Sequence, residues 1–224
     1  MKKINDWAII VFYLIAILCR YLTNKTEIFE EIGNEYLKSI LTGIGPAIGA
    51  FVAFSVFKIN PVMNLKGNYK KLLFPFLIYW VLPIALISCV AYFQKGIFPW
   101  LIVLTILIYG LFEEIGWRGF LHQELKSLPN IASILIVSTL WFLWHLNFEL
   151  TSSNLLFYGI LILGSWGIGK VADSTNSLIA VSAFHSLNNF FPNLDLTKIT
   201  ILIILITIWI IGLVVRKKTN KNIG

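Results

Sequence analysis

The sequence predicts an all-α, polytopic membrane protein with about eight transmembrane helices around a buried polar cavity. Three observations carry this. Hydrophobic residues make up 58% of the 224 residues and charged residues only 13%, against about 45–50% and about 25% in a soluble domain. Mean hydropathy is +0.81. Apolar runs recur along the chain, each bounded by helix breakers. A disordered chain is excluded, because it needs low hydrophobicity and high charge. A soluble globule is nearly excluded, because 18 Lys and Arg with 11 Asp and Glu cannot cover the surface of so apolar a chain. At about 20 residues per span, eight spans leave roughly seven residues per connection. Residues 1–224 therefore read as a single transmembrane domain.

The spans follow in order. Lys2-Lys3 and the apolar stretch Trp7–Leu22 have the shape of a signal peptide, but Arg20-Tyr21 follows with no small-residue cleavage site. This stretch is read as a retained first span. Leu37–Phe57, before Asn60-Pro61, is the second, and its Gly43, Gly45 and Gly49 carry a spacing suited to close helix packing. Leu72–Phe93 is the third and ends at Lys95-Gly96. The fourth runs from Phe98 into the 110s, and Pro129-Asn130 opens the fifth, Ile131–Phe148. Leu155–Val171, Ser177–Phe191 and Ile199–Val215 complete the set, with Asp173-Ser174 and Pro192-Asn193 as breakers. The chain has no internal repeat, which disfavours an inverted-repeat transporter. Cys19 and Cys89 sit inside apolar runs and read as packing, not as a disulfide or metal pair. The sequence closes on Lys221-Asn222-Ile223-Gly224, which is not a prenylation box.

An even span count places both termini on one side of the bilayer. With both ends inside, the inner set is Lys2, Lys3, Lys58, Lys66, Lys70, Lys71, Arg118, Lys126, Lys170, Arg216, Lys217, Lys218 and Lys221. The outer set is Arg20, Lys25, Lys38, Lys95 and Lys198, beside the acids Glu27, Glu30, Glu31 and Glu35. The positive-inside rule thus favours cytoplasmic N- and C-termini in a plasma membrane. The net charge of +7 suits anionic lipid and does not require nucleic acid. The abundance of Ile, Lys and Asn suits a bacterial source.

Charges at membrane depth are costly and mark function. Glu113-Glu114 follows the apolar run Ile102–Phe112 directly, and Arg118 comes next. Of three histidines, His145 and His185 lie inside apolar runs; His122 is expected at the interface. Glu113 lies 16 residues before Pro129 and His145 lies 16 after it. Helices on both sides of that break would lift each side chain by roughly 24 Å, to equal height. His185 is likewise near the middle of its run. Glu114 and Arg118 are i,i+4 and can pair, leaving Glu113 outside the pair. Trp141 and His145 share a face, as do His185 and Asn189. A Glu, two His and an Asn at one depth can activate water and stabilise an oxyanion; the same groups are potential zinc ligands.

These residues resemble a known family. Glu113-Glu114-Ile-Gly-Trp-Arg118 is similar to the EExxxR motif of the CPBP (CAAX protease and bacteriocin-processing, or Abi) intramembrane proteases. Trp141-Phe-Leu-Trp-His145 resembles their FxxxH motif with Trp in the Phe position, and His185-Ser-Leu-Asn-Asn189 resembles HxxxN. The order and layout are also similar to the type II CAAX prenyl endopeptidase. Residues 98–192 would then be the catalytic core. The resemblance implies Glu113 as general base, His145 as the group that polarises the water, and His185 and Asn189 as oxyanion donors. Glu114 and Arg118 would support them, with Trp141 shaping the pocket. The expected substrate is a membrane-associated, prenylated or leader peptide, with membrane lipids as the other partner and no nucleic acid.

Only two histidines face the site and no HExxH pair is present, so the chemistry is read as metal-free. If a zinc ion serves instead, Glu113, His145 and His185 would hold it. Two other functions share the sequence features: bacteriocin self-immunity, with or without proteolysis, and a non-enzymatic proton-coupled transporter or scaffold.

Overall fold

A computed structural model describes residues 3–190 and, beyond them, 196, 199–201, 203–205, 207, 208 and 211. The described residues are helical, with one isolated bridge between Asn64 and Ser177 and no strand.

Helix α1 (Asp6–Lys25) starts at Asn5, whose side chain accepts the Ala8 N–H and satisfies one orphan donor. Its Ala8, Phe12 and Ala16 are fully buried. Helices α2 (Glu35–Thr42) and α3 (Gly45–Val56) form one apolar stretch bent by 44°, so the expected second span is a broken pair. A Cβ on Gly45 or Gly49 would collide with the backbone carbonyl of Ala16 or Phe12. Bare glycine is what lets α3 approach α1, the packing role expected of that spacing. Gly43 instead lies beneath the ring of Tyr109.

Helix α4 (Tyr69–Phe76) passes through a π-helical turn, Leu77–Val81, into α5 (Leu82–Lys95). Pro83, in the first turn of α5, has no N–H to return to the preceding turn, and the widened turn falls there. Helix α6 (Trp100–Glu114) continues through a second π-helical stretch, Ile115–Leu121, to Ser127, a run of 28 residues. The fourth helix therefore extends well past Arg118, as the equal-height argument requires. Gly116 in the widened turn packs on Pro46 of α3, leaving no room for a side chain.

Helix α7 (Asn130–Trp144) stops at His145, and Leu146 turns the chain with φ +56°. Helix α8 (Ser152–Thr175) is capped by the Thr151 side chain and ends at Asn176, with φ +50°. Ser177 caps α9 (Leu178–Asn189). The loop before α4 clamps this junction. Asn64 bonds Asn176 and Leu178 through its backbone, while the Ser177 hydroxyl donates to the Leu65 carbonyl. Gly67, with φ +55°, lies against the backbone of Thr175, Asn176 and Ser177, where any Cβ would clash.

Three helices are long and apolar enough to cross a membrane, Asp6–Lys25, Trp100–Ser127 and Ser152–Thr175, or four if α2 and α3 count as one. The apolar α5 and α7 are shorter, at 14 and 15 residues. The expected second span is therefore a bent pair, α2 and α3, and hydropathy carries the fifth run to Phe148, past the real stop at Trp144. The expected eighth span, Ile199–Val215, lies largely outside the described residues, as do Lys2, Lys198 and the C-terminal basic residues. The buried core centres on Phe12, Trp117, Phe120, Leu121, Val137, Trp144 and Val181. Large hydrophobics such as Trp7, Leu14, Phe51, Phe93 and Leu163 are exposed on the outside, as lipid-facing surface requires.

Candidate active site

Three helices, α6, α7 and α9, bring the polar motif residues to one cavity of about 690 Å³, and α8 completes its wall. Its wall is largely aromatic and aliphatic, and Glu113, His145, His185, Asn188 and Asn189 are its polar lining with Tyr109.

Glu113 and Glu114 end the regular part of α6, just before the π-helical stretch; Glu113 is 1% exposed and Glu114 fully buried. Wide turns of this kind recur at functional sites because they re-aim side chains. Glu114 Oε1 accepts from Arg118 at 2.9 Å, the i,i+4 pair read from the sequence. The same oxygen bonds His185 Nδ1 at 2.6 Å, across 71 residues. Glu114 therefore anchors the α9 histidine as well as the arginine. Arg118 is fully buried, and its guanidinium lies 4.5 Å from the ring centroid of Trp141.

Glu113 stays outside that pair, as expected, but it is not unattended. The Trp141 indole N–H donates to Glu113 Oε2 at 2.8 Å. The sequence reading assigned Trp141 only to the shape of the pocket; phenylalanine in its place has no donor to offer. His145, expected inside a span, forms the C-cap of α7. Its Nδ1 is 2.8 Å from the Trp141 carbonyl. A carbonyl only accepts, so Nδ1 carries a proton, and in the neutral ring Nε2 keeps its lone pair. The ring stands edge-on to Trp144 and Phe157, at centroid separations of 5.1 and 4.8 Å, which fixes its plane. Asn189 is more buried than Asn188, though both line the cavity.

Two residues escaped the sequence reading. Tyr109 lies four positions before Glu113, on the same helix face, and its ring is edge-on to His185; the spacing that paired Glu114 with Arg118 would have found it. Arg20, one of the outer-set charges, lies in the last turns of α1, with its guanidinium 4.3 Å from the Trp144 ring centroid and donating to the Thr42 carbonyl. Arg20, Tyr109 and Asn189 line a second, more polar cavity of about 340 Å³ that adjoins the first. His122, expected at the surface, pairs with Asp173 at 3.0 Å.

No three His, Cys, Asp or Glu side chains among the described residues form a group able to hold a metal ion. Glu113, His145 and His185 share the cavity, and His185 Nδ1 is already committed to Glu114.

All of these polar residues from Tyr109 to Asn189 fall within one segment that matches a family model. Residues 94–191 match the family Type II CAAX prenyl endopeptidase Rce1-like. The match bears out the resemblance drawn from the three motifs. A comparison with curated proteins gave no match.

Proposed function

We propose that the protein is an intramembrane endopeptidase that hydrolyses a peptide bond of a membrane-associated or lipidated peptide. One observation carries the reading. Glu113, with one oxygen held by Trp141, and His145, with Nε2 left as an acceptor, line the same cavity. A water molecule between them donates one O–H to Glu113 Oε1 and the other to His145 Nε2. Its remaining lone pair is thereby aimed at a peptide carbonyl. As the oxygen bonds to the carbonyl carbon, Glu113 takes the proton. Charge moves to the carbonyl oxygen, which accepts from Asn189 Nδ2 and from His185 Nε2 in its doubly protonated form, with Nδ1–H held by Glu114. Glu113 then returns the proton to the leaving nitrogen as the C–N bond breaks. The products are a carboxylic acid and an amine. General acid–base help of this kind is worth about 10²–10⁴-fold, and each oxyanion donor about 10²–10³-fold.

The apolar wall of the cavity suits a lipid-anchored or hydrophobic peptide. Both termini are inferred to be cytoplasmic, with the helices arranged as about eight passes in a bacterial plasma membrane. The test is direct. The full-length protein in liposomes is incubated with prenylated and with leader peptides, and the products are read by mass spectrometry in ¹⁸O-labelled water. A new C-terminus carrying one heavy oxygen supports hydrolysis; intact peptides throughout refute it.

A further inference from the structure

A separate cavity of about 180 Å³ lies between the far end of the α6 run, the start of α7 and the end of α8. Lys126 and Lys170 line it with His122, Asn130, Ser133, Ser165 and Asp173. The charges do not cancel. Asp173 Oδ1 receives both His122 Nε2 at 3.0 Å and Lys126 Nζ at 3.1 Å. Lys170 makes no ion pair among the described residues. The lining therefore holds an excess of positive charge before any contribution from His122.

Three further features point to an anion. Ser133 and Ser165 are 5% and 3% exposed, and their Oγ atoms have no partner among the described residues. Two buried hydroxyls without an acceptor are costly unless something in the cavity receives them. The first turn of the 15-residue α7 also lines the cavity, through Asn130, Ile131 and Ser133. Pro129 at its N-cap brings no capping side chain, so the leading N–H groups and the positive end of the helix dipole are open to a negative ligand. The position fits as well. Lys126 and Asp173 lie in the last turns of two helices able to cross the membrane, which end at Ser127 and Thr175. The ends of membrane-crossing helices fall near the lipid headgroups. Trp166, 54% exposed, and Ile131 form an apolar edge to the cavity, as interfacial anchors do.

We propose that this cavity binds a phosphate group, presented by an anionic phospholipid headgroup or by free phosphate, between Lys126, Lys170, the Ser133 and Ser165 hydroxyls and the start of α7. It is distinct from the Glu113 cavity and does not depend on the peptidase reading.

The test uses the full-length protein, delipidated in a neutral detergent and titrated separately with phosphatidylglycerol, phosphatidylcholine and inorganic phosphate. Bound ligand is counted by native mass spectrometry. Phosphatidylglycerol should bind in preference to phosphatidylcholine. Lys126→Gln and Lys170→Gln should each weaken it about fivefold, and Ser133→Ala and Ser165→Ala should weaken it without altering the charge or the helices. Lys58→Gln, outside the cavity, should leave binding unchanged. Inorganic phosphate bound with the same sensitivity, and no lipid retained, would support the site with a soluble source. Binding of neither probe, or equal binding in the wild type and all four cavity variants, would overturn the proposal.

Discussion

The indole N–H of Trp141 is hydrogen-bonded to Glu113 Oε2 at 2.8 Å, with both side chains almost wholly buried. Trp141 also packs on His145 and His185 and under Arg118. One side chain therefore touches every charged or imidazole motif residue except Glu114. A hydrogen bond to a charged group is worth about 1.5–3 kcal/mol. Trp141→Phe keeps an aromatic ring and removes the donor. It should lower kcat/KM for peptide cleavage by about 10–100-fold. Cleavage assays beside a thermal unfolding curve check this, and an unchanged kcat/KM in a folded variant would assign Trp141 to packing alone.

Glu114 is the shared acceptor for Arg118 and His185. Glu114→Gln leaves a fully buried guanidinium without its counter-charge, so it should destabilise the protein by about 3–5 kcal/mol. Glu114→Gln combined with Arg118→Met removes the stranded charge and should recover much of that loss. Activity should not return, because His185 still lacks its anchor. Unfolding midpoints and cleavage rates of the wild type and the two variants separate the two effects.

Gly116 lies in the widened turn of the α6 run, against Pro46. Gly116→Ala forces α3 and α6 apart and should cost about 1–3 kcal/mol. Because the turn sits between Glu114 and Arg118, cleavage should fall further than stability alone explains. Gly96→Ala is a useful contrast. A Cβ there meets nothing, but φ is +66°, so its cost is backbone strain and the site should be untouched. Equal losses of cleavage in the two variants would contradict the local role of Gly116.

Much of the architecture was legible because short-range rules govern it. The Glu114–Arg118 pair followed from helical spacing, the turn at Pro129 from its chemistry, and the Gly45 and Gly49 contact with α1 from small-residue spacing. What could not be read was set by tertiary contacts. His185 to Glu114 and Trp141 to Glu113 join residues 71 and 28 positions apart, and periodicity within one helix says nothing about such partners. The wide turns at Leu77–Val81 and Ile115–Leu121 leave no mark in apolar composition. Hydropathy also cannot see a stop such as that at Trp144, where Leu146 and Phe148 beyond it prolong the apolar pattern. The contact of Arg20 with Trp144 is hidden for the same reason, since it joins two helices far apart in the chain.

The central claim is that Glu113 moves the proton of the attacking water. Glu113→Gln keeps the volume and still accepts from the Trp141 indole, so the fold should hold. The decisive measurement is the single-turnover rate of peptide cleavage by purified Glu113→Gln beside the wild type, with unfolding curves of both. A fall of about 10²–10⁴-fold at unchanged stability is the result expected. A rate within twofold of the wild type would contradict the assignment of Glu113.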